Sequence, residues 1–363
     1  MKNLKYIFNI VLFVLLIGIL TGVLFLTPAK DISEAERRKL QQFPELSVSS
    51  LASGKFMREF ETYLTDQFPL RDTFRRLKAK VHFSVMNQSD NGGIYVKDGY
   101  VSKIDSEINQ SSLDHFTDRV TALYNTYLKD NGCNVYYTVI PDKNYYLAGE
   151  DYPTLDYEKL FSYVDNKLSY MTKIDIASTL SKESFYFTDT HWRQEKILDT
   201  AQKIRTEMGM TPIGNFEEET PGDFYGVYYG QSALDLPKES LTVLKNKATE
   251  KSSTYNFEKD TTSTVYDMEK FNGLDSYDVF LSGAVSLLEI TNPTGEKGKK
   301  LILVRDSFGS SLAPLLMSDY ETIILVDIRY IAQNLLSNYV DFKNSDVLFV
   351  YSTLMINDSS TLK

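Results

Sequence analysis

The chain is poor in the residues that usually staple a fold or hold a metal. With a single cysteine, Cys133, no intrachain disulfide can form, so thiol usage neither requires nor excludes an oxidising compartment. Cys133 lies in NGCNVYYTVI and reads as buried packing. Histidine occurs only as His82, His115 and His191, and no HExxH, paired-cysteine or His–carboxylate ligand spacing is present. No metal is therefore expected. Without a P-loop or a GxGxxG there is no motif for a nucleotide, and no cofactor is expected. Lys and Arg nowhere gather into a field, and the net charge of −10 speaks against a nucleic-acid partner. Internal repeats, heptads and low-complexity tracts are missing as well.

Long apolar runs are also missing, with one exception. From Tyr6 to Leu26 the interruptions are Asn9, Gly18, Thr21 and Gly22, and no residue is charged. That is enough helix to cross a hydrocarbon core of ~30 Å. A cleaved signal peptide has a shorter apolar region, although Thr27-Pro28-Ala29 would serve as its cleavage site. The expectation is a retained single-pass membrane anchor over residues 1–30. Lys2 and Lys5 precede the span and Lys30, Arg37, Arg38 and Lys39 follow it, so positive charge does not orient it. By the habit of signal anchors, the C-terminal domain is expected outside the cell.

After the span, residues 31–75 read as a polar juxtamembrane stalk ending near Lys55, followed by a short docking helix on Phe56, Phe60, Tyr63 and Leu64. Residues 76–363 read as one α/β domain. NVYYTVI (134–140), LILV (301–304), TIILVDI (322–328) and DVLFVYS (346–352) are short, β-branched and continuously apolar, as strands buried on both faces of a parallel sheet are. Helical spacing lies between them: Leu113, Phe116, Val120, Leu123, Tyr124, Tyr127 and Leu128; then Leu160, Phe161, Val164, Leu168 and Met171; then Ile197, Ala201, Ile204 and Met208. This alternation predicts a three-layer α/β domain with a mostly parallel sheet. Residues 211–285, rich in Gly, Thr, Tyr and Asp, read as a hairpin and loop insertion beside that sheet.

Two motifs carry possible chemistry. His191 stands in FTDTHWRQ, two residues after Asp189 and directly before the only tryptophan. In extended chain, residues i and i+2 point the same way, so Asp189 can bond one imidazole nitrogen and leave the other as a base. The alternative is a helix start at Thr188 or Thr190 with an incidental histidine. Ser307 stands in LILVRDSFGSS, where an apolar strand runs into a Gly/Ser-rich turn. At the carboxyl end of a parallel strand it would face the ligand crevice, with helix-start N–H groups near a developing oxyanion. The alternative is that Asp306 or Ser307 merely caps the following helix. His82, in apolar KVHFSVM, reads as packed or half-buried, and His115 as solvated on the polar face of its helix.

Together TDTHW and the later strand–DSF resemble the DHHW family and the alginate O-acetyltransferase branch of the SGNH-hydrolase-like proteins. ERRKLQQFP, FETYLTDQFPLRD, VIPDK, YDVFLSG and VDIRY stand in the order expected for that resemblance. It implies an SGNH-hydrolase-like fold with Ser307 as nucleophile, His191 as general acid/base and Asp189 as the carboxylate that fixes the imidazole. Asp306 would shape the nucleophile loop. Arg305 replaces the glycine common before Asp-Ser, which puts the oxyanion hole in doubt, and Thr190 replaces the first histidine of the family's name motif. Gly283 and Asn292 are candidates for oxyanion support, or else turn residues, and Lys143 and Arg329, at strand ends, are candidates for substrate contact, or else solvated or salt-bridged. The implied activity is transfer of an acyl group, acetyl above all, onto a polysaccharide or wall polymer, with a membrane-bound MBOAT-type acyltransferase as donor partner. A polysaccharide esterase using the same triad, and a non-catalytic carbohydrate-binding or assembly protein, are the rival readings.

Overall fold

The computed structural model describes residues 2–363. The chain divides into two compact units, Met1–Gly92 with Tyr229–Leu236, and Gly93–Tyr228 with Pro237–Lys363.

The first unit opens with α1 (Lys2–Leu26), apolar all round and exposed along almost all of its length. Its length and composition suit a single-pass anchor or a signal sequence. The polar segment after it is folded rather than an open stalk. Ile32–Ser33 pairs antiparallel with Arg38–Lys39. Asp66 receives Arg38 at 2.9 and 2.5 Å and the Gln41 amide at 2.9 Å, and Arg38 holds its carboxyl below the usual carboxylate range. Glu36 faces Arg71 at 2.6 Å and Arg75 at 3.2 Å. The charges of this segment are thus paired with one another. The docking helix is α2 (Lys55–Asp66), on which Phe56 and Phe60 stack at 5.7 Å while Phe43 meets Phe60 edge-on at 5.8 Å. α3 (Arg71–Lys80) follows. The boundary expected after residue 75 therefore moves to 92, and residues 229–236 return to this unit. Arg75 donates to the Gly230 carbonyl at 2.8 Å, and Gly230 abuts the Ala35 backbone where a Cβ would not fit.

The second unit is a three-layer α/β domain, a mostly parallel sheet covered by helices on both faces. Its sheet contains β1 (Asn134–Ile140), β2 (Thr172–Lys173), β3 (Ser253–Asn256), β4 (Thr261–Thr264), β5 (Leu287–Thr291), β6 (Glu296–Arg305), β7 (Tyr320–Val326) and β8 (Asp346–Ser352), in the order β4-β3-β5-β7-β6-β8-β1-β2. From β7 to β2 all pairs are parallel; β5 joins β7, and β3 joins β5 and β4, antiparallel. Leu303 of β6 stands opposite Leu325 of β7 and Leu348 of β8.

Period-2 alternation distributes β6 between two cores. Leu301 and Leu303 pack with α6 (Leu198–Glu207) and α7 (Phe308–Leu316), whereas Ile302 and Val304 pack with α4 (Gln110–Leu123) and α5 (Tyr157–Lys167). Asn109 caps α4 by accepting from the Ser112 amide, and a π-helical turn extends that helix over Tyr124–Leu128.

Three expectations need correction here. Residues 253–264 do not stand beside the sheet but form its antiparallel edge; the apolar register of β5 against β7, Leu288 to Leu325 and Ile290 to Ile323, recruits them. Glu217–Phe224 and Glu239–Lys245 do form a separate antiparallel pair. Cys133 is half-buried, its thiol directed at the Phe342 carbonyl at 2.9 Å. His115 is half-buried rather than solvated, because the chain end folds over its helix and brings the Leu362 carbonyl to 3.0 Å.

Candidate functional site

β6 ends at Arg305, and α7 begins at Phe308, so Asp306 and Ser307 form the strand-to-helix elbow at the carboxyl end of the sheet. Asp306 is bound on both oxygens: Oδ1 accepts the Phe308 amide at 3.0 Å, and Oδ2 accepts the amide and hydroxyl of Ser352 at 2.8 and 2.7 Å. It fastens the elbow to the end of β8. Within α7's first turn the Gly309 amide bonds the Asp306 carbonyl and the Ser310 amide the Ser307 carbonyl. The Ser307 amide has no acceptor among the described residues, which leaves it as the elbow's open N–H.

His191 arrives on a loop from the other side of the chain. Phe185 bridges Trp192, the Tyr186 amide bonds the His191 carbonyl at 3.1 Å, and the Arg193 amide bonds the Ser184 carbonyl at 2.8 Å, so the loop is a narrow hairpin and not a helix start. Asp189 Oδ1 accepts from the His191 amide at 3.0 Å and lies 2.7 Å from Nδ1; Oδ2 accepts the Val227 amide at 2.9 Å. His191 Nε2 lies 2.8 Å from Ser307 Oγ. Asp189 is fully buried, His191 nearly so, and Ser307 half-buried. The three side chains form one hydrogen-bonded line whose outer end is reachable. With a carboxylate holding Nδ1–H, Nε2 is free to take the serine proton.

Several residues that no motif picked out build this line. Tyr277 stacks on the His191 ring at 3.9 Å with 7° between planes, and its hydroxyl meets Ser311 Oγ at 2.7 Å. Burial pushes the Tyr277 hydroxyl's pKa up, so it stays a neutral stacking partner. Trp192 donates to the same Ser311 Oγ at 2.8 Å, and Gln194 to the Ser311 carbonyl at 2.8 Å. Both clamp the histidine loop onto α7, the helix that begins beside Ser307. Gly226 completes the clasp. Its amide bonds Thr188 Oγ1 at 2.8 Å, and a Cβ there would collide with the backbone of Thr188 and Asp189. The YGVYYG run around Gly226 carried no recognisable signal.

Of the secondary candidates, Lys143 comes nearest. Buried at 1% exposure, its Nζ bonds the Val101 carbonyl at 2.8 Å and reaches the Phe187 carbonyl at 3.4 Å. Burial pushes its pKa down to about 8, against the pull of Glu239 and Asp189. Glu239 in turn accepts from the Phe187 and Thr188 amides at 2.5 and 2.7 Å, and burial raises its pKa. These two charges secure the strand leading to Asp189; Lys143 is not presented to solvent.

The other three are engaged elsewhere. Arg329 makes a two-pronged bond to buried Asp327 at 2.9 and 2.6 Å. Asn292 donates to the Met317 and Tyr320 carbonyls at 2.9 and 3.1 Å and accepts the Thr294 amide. Gly283 is a turn residue at φ +83°, and a Cβ on it would strike the Asp278 carboxylate. Arg305 lies beneath α7, where Gly309 leaves room for it, with its guanidinium 3.5 Å from Asp327. Among the described residues no group of three His, Cys, Asp or Glu side chains is placed to hold a metal ion.

An α/β domain with an Asp–His–Ser line at the carboxyl ends of its parallel strands is the class that fold and site define. Residues 157–326 match the family described as DHHW protein. A DHHW family protein from Eubacterium siraeum DSM 15702 is 20% identical with a TM-score of 0.57, over 74% of this chain and 93% of that one. Bacillus cereus PatB1, solved with a sulfonyl adduct, is 17% identical with a TM-score of 0.58, over 72% and 97%. The O-acetyltransferase domain of Pseudomonas putida AlgJ overlaps less closely, at 12% identity and a TM-score of 0.43, over 73% and 92%. No curated protein matches the sequence.

Proposed function

We propose that the chain is a membrane-anchored O-acyltransferase that moves an acyl group, acetyl above all, onto a hydroxyl of an extracellular polysaccharide or wall polymer by way of an acyl-serine. The observation that carries this reading is the line of Asp189, His191 and Ser307, with bonds of 2.7 and 2.8 Å, at the carboxyl end of the sheet. The resemblance of TDTHW and strand–DSF to O-acetyltransferases supports the choice of acyl group and acceptor.

In the first half-reaction, His191 Nε2 takes the Ser307 proton as Oγ attacks the donor carbonyl. The oxyanion that forms is met by the Ser307 amide, and collapse expels the leaving group, which takes the proton back from His191. In the second half-reaction, His191 removes the proton of a sugar hydroxyl, the alkoxide attacks the acyl-serine, and Ser307 leaves with that proton. Asp189 holds the imidazole in the required tautomer throughout and supports its positive charge. The donor partner is an MBOAT-type membrane acyltransferase, and the anchor keeps the domain beside it, on the outer face of the membrane.

The test is intact-mass analysis of the full-length chain in detergent after exposure to a small activated acetyl ester, with Ser307→Ala and His191→Ala alongside. One acetyl increment on the wild type, absent from both variants, is expected. Steady release of acetate with no transfer to any offered sugar hydroxyl would make the protein an esterase. Neither acylation nor turnover in a folded protein would leave a binding or assembly role.

A further inference from the structure

The first unit carries an apolar surface besides α1. Along α3 and its π-helical continuation, Val81–Val85, the residues Leu70, Phe74, Leu77, Val81 and Val85 recur at steps of three or four, and all five are 36–76% exposed. The orientation is the reverse of an ordinary surface helix. α3 meets the rest of its unit with its charged side, where Arg71 and Arg75 pair with Glu36 and Ala79 is buried. The apolar side looks out, bordered by the exposed Lys78 and Lys80. A water-facing helix ordinarily turns its apolar stripe to the core, and a continuous exposed stripe marks a surface that something apolar covers.

The chain itself says where this stripe lies. Gln67, at the end of α2, accepts the Lys30 amide at 3.0 Å and donates to the Lys30 carbonyl at 2.9 Å, and Gln42 donates to that same carbonyl at 2.9 Å. Lys30 is four residues beyond the last residue of α1, a separation of at most ~14 Å in fully extended chain. The turn that starts α3 is therefore held at the mouth of the apolar span. On the reading of α1 as a membrane anchor, on which this inference rests, α3 begins at the bilayer surface.

We infer that α3 and its continuation lie along the membrane, with the Leu70–Val85 stripe sunk into the boundary between headgroups and acyl chains and Lys78 and Lys80 against lipid phosphates and anionic headgroups. An amphipathic helix with lysines beside an apolar face is built for that position. This gives the unit a second attachment beside its span. One helix through a bilayer is free to pivot; a span plus a surface helix is not.

The experiment uses the full-length chain, with Cys133→Ser, reconstituted in phosphatidylcholine–phosphatidylglycerol vesicles. Single cysteines at Leu77→Cys, at Asp72→Cys on the opposite face, and at Leu16→Cys within α1 each carry an environment-sensitive dye. A nitroxide on the lipid acyl chain is expected to quench the Leu77 and Leu16 labels several-fold more than the Asp72 label. Quenching at Leu16 with Leu77 reached only by a water-soluble quencher would overturn the inference and leave the anchor standing. A Leu16 label that escapes the lipid quencher would remove the anchor reading and the inference with it. Shielding of Leu77 from both quenchers only when a membrane protein is co-reconstituted would assign the stripe to a protein partner and overturn the lipid assignment.

Discussion

His191 Nε2 and Ser307 Oγ lie 2.8 Å apart although 116 residues separate them in the chain. Neither motif holds this distance by itself. The β6–α7 elbow presents the serine, and the histidine loop is clamped onto α7 through Trp192, Gln194 and Ser311.

Asp189 is saturated with donors: Oδ1 takes the amide and Nδ1 of His191, and Oδ2 takes the Val227 amide. An asparagine there must turn its NH₂ toward one of these N–H groups. Asp189→Asn is expected to lower turnover of an activated acetyl ester on the order of 10³–10⁴-fold while the protein stays folded. Near-wild-type turnover would show that the carboxylate does not orient the base.

Tyr277 is expected to act as a positioning residue through its stack on the imidazole. Tyr277→Phe keeps the ring and loses the bond to Ser311, and should reduce kcat by less than ~10-fold; Tyr277→Leu removes the ring's support and should cost about 10²-fold. KM should change little in either. An equal loss in both variants would point to the hydroxyl instead.

Gly226→Ala places a methyl group into the backbone of Thr188 and Asp189. The expected cost is about 1–3 kcal/mol of stability, with loss of esterase turnover below the melting transition. Gly214→Ala, where a Cβ meets nothing within 4 Å, is the control, expected within about 0.5 kcal/mol of wild type. Thermal melts and ester turnover on both variants check this.

Asp142, in the VIPDK stretch, is fully buried, accepts the Tyr157 hydroxyl at 2.5 Å, and is pushed up to about 6 by burial against the help of its hydrogen bonds. A carboxyl raised in the folded state binds more protons there than in the unfolded chain, whose value is about 4. Its contribution to stability is therefore present below about pH 4 and lost as pH rises through about 6, with a slope of at most about 1.4 kcal/mol per pH unit. Asp142→Asn should flatten the fall of Tm across that window. An unchanged profile would assign the dependence to other groups.

Much of this was legible locally. The runs at 134–140, 301–304, 322–328 and 346–352 are strands of one sheet because continuous β-branched apolar segments are satisfied only with both faces covered, and the helical stripes between them cover those faces. Asp189 and His191, two residues apart on an extended loop, carried their own geometry. Other sequence signals left two readings open because they look alike whether paired or not. Arg329 and Asn292 are strong hydrogen-bonding groups near strand ends, but Asp327 takes the first and the Met317 and Tyr320 carbonyls take the second. The charged stretch after the span read as a polar stalk, yet Arg38, Glu36, Asp66, Arg71 and Arg75 face one another.

By itself, the sequence determined the elements whose energetics are local: an apolar helix of membrane length, buried strands, amphipathic helices, and the Asp–x–His and strand–Asp–Ser motifs. Tertiary structure alone decided which of these meet. It brought Ser307 to His191, laid Tyr277 on the imidazole, fitted Gly226 against the Asp189 backbone and turned the apolar side of α3 outward. The reason is physical: periodicity depends on neighbours along the chain, whereas a 2.8 Å contact across 116 residues depends on how every intervening element packs.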